Sequence, residues 1–391
     1  MDRRAFLQAS LSAAALGATG VGTASVAFAA APTGANYRKL LVLVELKGGN
    51  DGLNTVVPYT DPAYYALRPK LAVVRDAVVP ISDRMGFNPA LAPMLPLWKE
   101  GGLAVLQGVG YPTPNLSHFR SIEIWDTASP SEVYLQDGWL TRAFVAAPVP
   151  RTFAADGVLI GSNDLGPLAG SGTRAVALAN TDQFLRRAKL AAPQGEGHNK
   201  AFQHILKVEA DIVQAATHLD ARREFATEFP QSGFGNAIRT ACGVIANPAG
   251  VAVVRVTLSG FDTHGGQAVT QTRLLGELAG GLVALKSALD ELGRWNDTLI
   301  LTYAEFGRRP KENLSGGTDH GTANVHFALG GRVAGGFYGE SASLDRLGGD
   351  GNTGYALDFR GLFATVLEQW WGMPSQATLG GKFAPVPFVK V

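Results

Sequence analysis

Two nearly unbroken runs of apolar, β-branched residues, 251–258 and 298–303, constrain the fold more than any other feature of this chain. Such runs are typical of strands that are buried on both faces of a sheet. Similar runs lie at 40–46, 103–107 and 326–329, and helical patterns lie at 89–99, 117–128, 199–229, 236–246, 270–295 and 358–371. Strands that alternate with helices predict an α/β fold with a doubly wound, mostly parallel sheet and helices on both faces.

The strand-like runs are distributed along most of the chain, which favours one domain over two. We expect a single domain with insertions over residues 37–391. Glycine and proline punctuate the stretch 139–197. We expect this stretch to form an insertion or cap over the edge of the sheet.

The first residues indicate export. Arg3 and Arg4 precede about two dozen small or apolar residues that end at Ala29 in a small-x-small cleavage motif. This pattern is typical of a twin-arginine signal peptide, here residues 1–29, and its apolar part is too weakly hydrophobic to favour a membrane span. We therefore expect a periplasmic or secreted protein that uses the twin-arginine export machinery and has no stable membrane span after cleavage.

Charge and cysteine content exclude other classes of protein. Loss of Asp2, Arg3 and Arg4 removes two of 34 basic and one of 33 acidic residues, which leaves a net charge near zero. This balance argues against nucleic acid as a partner. Cys242 is the one cysteine of the chain, so an internal disulfide is excluded.

Polar clusters follow or flank the strand-like runs of the second half. Asp262 and His264 stand in a glycine-rich turn after one run, Glu305 follows the next, and Asp319 and His320 precede a third. The carboxyl ends of parallel strands share one edge of a sheet, so we expect these side chains to converge. Their oxygen and nitrogen atoms are suitable ligands for one or two divalent ions, of which we expect zinc.

Several of these residues have two interpretations. Asp51 follows the first strand and is either a metal ligand or the cap of an Asn50-Asp51-Gly52 turn. Ser117 opens a predicted helix and is either a nucleophile that attacks an ester or an ordinary N-cap. Arg308 and Arg309 either hold an anionic substrate or neutralise Glu305.

The histidine of the third cluster, His320, also has two interpretations. His320 completes the ligand shell of the ion that Asp262 and His264 bind, or it is structural. Asp319 is then either a neighbour of the ion or the carboxylate that orients His320.

These motifs resemble a known family. They are Gly48 to Asn54, Ser117-His118-Phe119, Phe261 to Gly265, Glu305 to Arg308, and Gly316 to Thr322. Together they resemble the domain of unknown function 1501, a family that is similar to the alkaline phosphatase and sulfatase superfamily.

The resemblance implies roles for individual residues. Asp51 resembles the first-strand metal aspartate and Ser117 the nucleophile, while Asp262, His264 and His320 resemble the ligands of one ion. We further expect Glu305 to be a metal ligand and Arg308 to act in catalysis. The residues expected to orient ligands or to bind substrate are Asn50, His118, Asp319 and Arg309.

The resemblance also limits the site. Phe306 follows Glu305 where the superfamily has a histidine, so a second ion would lack a nitrogen ligand. The implied function is an exported, metal-dependent hydrolase of small anionic phosphate or sulfate esters. The alternative is a non-catalytic envelope protein that retains the fold for binding or assembly.

Overall fold

The computed structural model describes residues 34–178, 223–341 and 343–390. The expected signal peptide, residues 179–197 of the expected cap and residues 199–222 of one expected helix lie outside this part of the chain.

A sheet of nine strands organises the described residues. The strands of the structure are β1 Leu40–Lys47, β2 Val56–Val57, β3 Val79–Pro80, β4 Gly86–Phe87, β5 Leu103–Gly110, β6 Ala155–Ile160, β7 Ala175–Leu178, β8 Val251–Ser259, β9 Thr298–Tyr303, β10 Gly307–Arg308, β11 His320–Gly321, β12 Asn324–Leu329, β13 Gly336–Gly339 and β14 Leu357–Asp358. The order in the large sheet is β13-β5-β12-β9-β1-β8-β6-β7, with β14 beside β5. Only β12 runs antiparallel to its neighbours in this sheet, which confirms the mostly parallel α/β fold.

The helices correspond to most of the helical patterns of the sequence. They are α1 Gly52–Thr55, α2 Pro62–Leu67, α3 Leu95–Lys99, α4 His118–Thr127, α5 Trp139–Ala146, α6 Gly233–Ile245, α7 Gln267–Glu291, α8 Phe359–Ala364 and α9 Gln376–Leu379. A π-helix, Thr365–Trp370, continues α8. Residues 223–229 are not helical, contrary to the pattern at 199–229. None of the helices that the structure describes has the length and apolar character needed to cross a membrane.

Alternate residues of β1 pack into two different hydrophobic cores. Val42 and Val44 belong to a core that includes α6 and α7. Leu41 and Leu43 belong to a second core that includes α5 and α8. Because successive side chains of a strand point to opposite faces, the sheet is covered by helices on both sides, as expected.

The stretch that we expected to cover the sheet edge instead forms the edge itself. Strands β6 and β7 lie within residues 139–178 and pair in parallel, with Val158 opposite Val176. Strand β6 also pairs with β8 in parallel, with Val158 opposite Val254. The described part of this stretch is therefore an extension of the central sheet.

Three central strands end at the same level. Glu45 of β1 stands opposite Thr257 of β8 and Tyr303 of β9, and all three strands run in the same direction. The loops after them therefore leave the sheet side by side, and they carry most of the predicted site.

Candidate metal centre

Four side chains from three segments converge at the carboxyl edge of the sheet: His118, Asp262, His264 and His320. Nε2 of His264 lies 2.9 Å from Nε2 of His320 and 3.1 Å from Oδ1 of Asp262. Nε2 of His320 lies 3.2 Å from that oxygen, and Nε2 of His118 lies 3.4 Å from Oδ2. The side chains of Asp262 and His264 are each 46% exposed, so the cluster is open to solvent on one side.

Glu305 orients His118. The Glu305 side chain is only 3% exposed, and its Oε1 lies 2.9 Å from Nδ1 of His118. The backbone N–H of Gly48 donates to both carboxylate oxygens, at 2.9 and 3.1 Å. Gly48 has a positive φ of 116°, and a Cβ there would lie 2.4 Å from the backbone nitrogen of Asp262. A glycine is therefore needed for this loop to approach both partners.

The other two imidazoles are oriented in the same manner. Nδ1 of His320 donates to the carbonyl of Leu116 at 2.7 Å. Nδ1 of His264 lies 3.4 Å from Oδ1 of Asp319, which also accepts from the side-chain amide of Asn313 at 3.2 Å. Asp319 thus contacts His264, whereas the sequence suggested that it orients His320.

Each Nδ1 has an acceptor, which assigns the remaining lone pair to Nε2 of each neutral ring. Nε2 of His118 is buried and has no hydrogen-bond partner among the described residues. Nε2 of His264 and of His320 face each other at 2.9 Å, and two lone pairs in that position repel. One ligand atom each of His118, Asp262 and His320 lies within 4.8 Å of the other two, so one cation fits between these three side chains, and His264 lies beside them. Imidazoles together with a carboxylate form a ligand set that fits zinc.

Arg308 holds Asp262 in its ionised form. Partial burial favours a higher pKa for Asp262, but the hydrogen bond and charge of Arg308, together with His320 and His118, lower its pKa to about 2. The guanidinium of Arg308 donates to Oδ1 of Asp262 at 2.8 Å, and its side chain is fully buried. An ionised carboxylate is the form that binds a metal.

The hydrogen-bond donors of Arg308 are already engaged within the protein. Besides Asp262, its guanidinium donates to backbone carbonyls of Gly49, Thr318, Gly48 and Phe261. With no exposed surface on the side chain, Arg308 joins the loops of the site and positions Asp262. The catalytic role that we expected for Arg308 gains no support from these contacts and stays a prediction.

The two less exposed imidazoles have pKa shifts of opposite sign. The hydrogen bond that His118 donates to Glu305 raises the pKa of His118, against the effect of partial burial. Burial lowers the pKa of His320, against the hydrogen bond to Leu116. Glu305 therefore favours the positive charge that His118 acquires when it is protonated or bound to a cation.

Phe306 occupies the position where the resemblance implies a histidine. Its ring is 2% exposed and lies 4.4 Å from the ring centroid of His320 and 4.9 Å from that of His118. An apolar ring here packs against the two imidazoles and fixes their planes. It offers no ligand to a second ion.

Asp51 is a turn cap and the partner of a buried arginine. Its Oδ2 and Oδ1 accept from Nη1 and Nη2 of Arg68 at 2.6 and 3.1 Å, and Oδ1 also caps the N–H of Leu53. Both side chains are almost fully buried, at 1% and 0% exposure. Since Arg68 neutralises both oxygens, the metal-ligand role that we expected for Asp51 gains no support here and stays a prediction.

The surroundings of Asp51 support the metal-binding loops from behind. Gln267 donates to Oδ2 of Asp51 at 2.5 Å, and the hydroxyls of Thr263 and Thr318 donate to the amide oxygen of Gln267. These threonines neighbour the ligands in the chain. Asn50 lies in the same buried network, where it donates to Thr55 at 2.9 Å, and has a structural role rather than one in binding substrate.

Ser117 stands at the N-cap position of α4, between a residue that contacts His320 and the ligand His118. Its hydroxyl makes no capping hydrogen bond and has no partner among the residues that the structure describes. The backbone N–H of Ser117 is held by Asn115 at 2.9 Å. The hydroxyl of Ser117 is thus exposed and uncommitted beside the cluster.

Arg309 is the second arginine near the cluster, after Arg308. Its Nε is buried without a hydrogen-bond partner in the described part of the chain. The pKa of Asp319 is lowered mainly by the hydrogen bond from Asn313, and also by the charges of His264 and Arg309. This guanidinium therefore lies close enough to the cluster to influence its carboxylates.

The structure thus brings together three side chains that were predicted as ligands, Asp262, His264 and His320, and places His118 beside them. The sequence places His118 only as an orienting or substrate-binding residue. Glu305, which was predicted as a ligand, instead contacts Nδ1 of His118, and its ligand role stays a prediction. One sequence feature could have indicated His118: like Ser117, it lies where a helix begins shortly after the end of a strand.

A family model described as "Protein of unknown function (DUF1501)" matches residues 101–378. This is the family that the sequence motifs predicted. A search of curated proteins finds no match.

Several solved structures are similar to this chain. The C-terminal periplasmic domain of EcEptC from Escherichia coli, in complex with Zn, is 11% identical over 75% of this chain and 72% of that chain, with a TM-score of 0.38. The phosphonate monoester hydrolase SpPMH from Silicibacter pomeroyi is 10% identical over 76% and 69%, with a TM-score of 0.37. Alkaline phosphatase from the Antarctic bacterium TAB5 is 11% identical over 76% and 94%, with a TM-score of 0.35. All three scores are below 0.5, so the residue roles given above rest on the geometry of this chain.

Proposed function

Because the chain belongs to the DUF1501 family, whose description names no activity, we propose its function from the site: an exported hydrolase of small anionic phosphate or sulfate esters that depends on one divalent ion. His118, Asp262, His264 and His320 would hold the ion, and zinc suits this ligand set.

One observation carries this proposal. Nε2 of His118 is buried without a hydrogen bond among the described residues, while Glu305 accepts at Nδ1 of the same ring. A buried polar atom without a partner costs roughly 1–3 kcal/mol, so its retention calls for a ligand at that point. The carboxylate of Asp262 and the ring of His320 are close to this nitrogen, and a cation between them would give it a partner.

A bound ion would supply Lewis-acid polarisation of the ester oxygens. The residues of the chain prepare the cluster for this role. Glu305 fixes the ring of His118, Asp319 that of His264 and the carbonyl of Leu116 that of His320, so that each Nε2 faces the centre. Arg308 keeps Asp262 ionised.

Ser117 is our candidate nucleophile. Its hydroxyl is uncommitted, and the N-terminus of α4 favours negative charge there. The hydroxyl oxygen would form a bond to phosphorus or sulfur as the P–O or S–O bond to the organic group breaks, and the hydroxyl proton would leave with that group as the alcohol. Water would then hydrolyse the seryl ester, which restores the hydroxyl of Ser117 and releases the acid. Arg309 would pair with the anionic oxygens of the substrate, since its guanidinium forms no ion pair with a described residue.

We propose one ion rather than two. The carboxylate of Asp51 would have to join a second ion, but Arg68 occupies both of its oxygens. Phe306 provides no ligand in place of the histidine that the resemblance implies. A fixed guanidinium thus stands beside the first-strand aspartate, where a second cation would be expected.

Delivery through the twin-arginine pathway to the periplasm, or beyond, remains part of the proposal. It rests on the paired arginines and the apolar segment of residues 1–29.

The experiment measures metal content and turnover of the same preparation. Protein purified without chelators from metal-replete medium is analysed for its elements, and aryl phosphate and aryl sulfate hydrolysis are assayed. We expect close to one ion per chain and a turnover that Ser117→Ala lowers at least about a hundredfold, with unchanged metal content. Ser343→Ala, an exposed serine outside the cluster, is the matched control.

The absence of Asp51 from the ligand set also favours a second candidate, a non-catalytic envelope protein that binds metal or anions. It predicts a bound ion without ester turnover. Metal-free, inactive wild-type protein would overturn the hydrolase and leave neither role for the cluster.

A further inference from the structure

Exposed apolar side chains accompany the metal-binding segments. Phe119 directly follows the ligand His118 and is 89% exposed. Leu314 is fully exposed and directly follows Asn313, whose amide contacts the carbonyl of His264 at 3.0 Å. Large apolar residues in such positions lose the stabilisation that burial would provide.

A third exposed side chain belongs to the same region. Val269 is 80% exposed and lies in the first turn of α7, five residues after His264. Eight large hydrophobic residues are exposed in the described part of the chain, and these three lie on three different segments that carry or clasp ligands. Single exposed apolar residues are ordinary, but a group around one polar centre marks a binding surface.

Loop contacts place Leu314 near the open side of the cluster. Asn313 also donates to Oδ1 of Asp319, which in turn contacts His264. Gly317 packs so tightly on the His264 turn that a Cβ there would lie 2.3 Å from the carbonyl carbon of His264. Leu314 is therefore tied to the open side of the cluster through Asn313, and Phe119 lies in the first turn of α4, next to His118.

We propose that the site takes esters whose organic group is apolar, a long alkyl or aryl chain, which Phe119 and Leu314 hold while the ion and Arg309 hold the acid group. This inference rests on the proposed metal site. It concerns Phe119 and Leu314 alone, because imidazole and carboxylate groups are polar and would not hold an apolar chain.

The test compares two ligands that share a headgroup. Binding of methyl phosphate and of decyl phosphate, below its micellar concentration, is measured by calorimetry on the purified zinc-loaded protein. We expect decyl phosphate to bind at least about tenfold more tightly than methyl phosphate. The double variant Phe119→Ser with Leu314→Ser should lose most of this preference, with unchanged zinc content and unchanged methyl phosphate affinity.

Val145→Ser is the matched control, because Val145 is 61% exposed at the end of α5 and outside the cluster. It should retain the full preference. Binding of methyl phosphate with equal affinity for decyl phosphate would overturn this inference and leave the proposed function intact. Decyl maltoside that competes as well as decyl phosphate would also overturn it, because the patch would then bind any amphiphile. Failure of zinc-loaded protein to bind either phosphate would overturn the proposed function and this inference with it.

Discussion

Glu305→Gln tests whether a carboxylate behind His118 tunes the metal centre. The substitution keeps the shape of the side chain but removes its charge and converts one oxygen to an NH2 group. Both present oxygens accept from the N–H of Gly48, and Oε1 also accepts from His118. The amide can keep one oxygen toward His118 only by turning its NH2 group toward the N–H of Gly48.

The expected magnitude follows from burial and distance. Loss of an orienting carboxylate behind a metal-bound histidine weakens metal binding by about 10- to 100-fold, or about 1.4 to 2.7 kcal/mol. We expect a loss of affinity within this range for Glu305→Gln, because the side chain of Glu305 is 3% exposed and its Oε1 lies 2.9 Å from Nδ1 of His118. Asp319→Asn should weaken binding by no more than about threefold, since Asp319 is 53% exposed and 3.4 Å from His264.

The assay is a zinc titration against a chromophoric chelator at pH 8. A high pH reduces the competition of protons for His118, whose pKa Glu305 raises. Thermal unfolding of the chelator-treated variants controls for loss of fold. Wild-type affinity in Glu305→Gln, or a larger loss in Asp319→Asn, would refute the assignment of Glu305 as the orienting carboxylate.

Three further results are expected. Replacement of His264 or of His320 by Ala should remove the bound ion. The double variant should lose no more metal than either single variant, because the ligands act as a unit. Elemental analysis of the three proteins measures this, and full occupancy in any of them would contradict the metal site. Arg3→Lys with Arg4→Lys should leave the protein in the cytoplasm, which fractionation measures; periplasmic delivery of the variant would indicate a general secretory signal instead. His326 is fully buried and its pKa is lowered to about 3 by burial, below the ordinary value of about 6.5, so the unfolded state gains a proton first as pH falls. The free energy of unfolding should therefore drop by about 2 kcal/mol between pH 7 and 5 on account of this residue, and denaturant titrations of His326→Leu should show a correspondingly shallower pH slope; an unchanged slope would show that another group sets it.

The central strands could be predicted because their sequence has no competing interpretation. Runs such as 251–258 and 298–303 combine β-branched residues with continuous apolar character, and burial on both faces follows from that composition. The edge strands lack this signal. Strand β6 contains Asp156 and Gly157, and β7 is four residues long. Asp156 is accommodated because Arg174 pairs with it at 2.5 Å, a contact that the local pattern does not reveal.

The candidate site shows the same division. Asp262, His264 and His320 could be placed together because each lies near a strand end. The exchange of roles between His118 and Glu305 could not be predicted, because it depends on the N–H of Gly48. That donor holds the Glu305 carboxylate back from the centre and leaves the imidazole in front of it. A backbone donor has no sequence signature.

Two buried guanidinium groups decide which carboxylates remain available to an ion. Arg68 takes both oxygens of Asp51 and adds bonds to Asn54 and to the carbonyl of Pro310, so this aspartate is neutralised within the fold. Arg308 takes only Oδ1 of Asp262 and leaves Oδ2 directed toward His118 at 3.4 Å. The same type of ion pair therefore withdraws one carboxylate from the site and keeps the other ionised within it. The difference lies in the number of oxygens that the arginine occupies, and it favours a centre with a single ion.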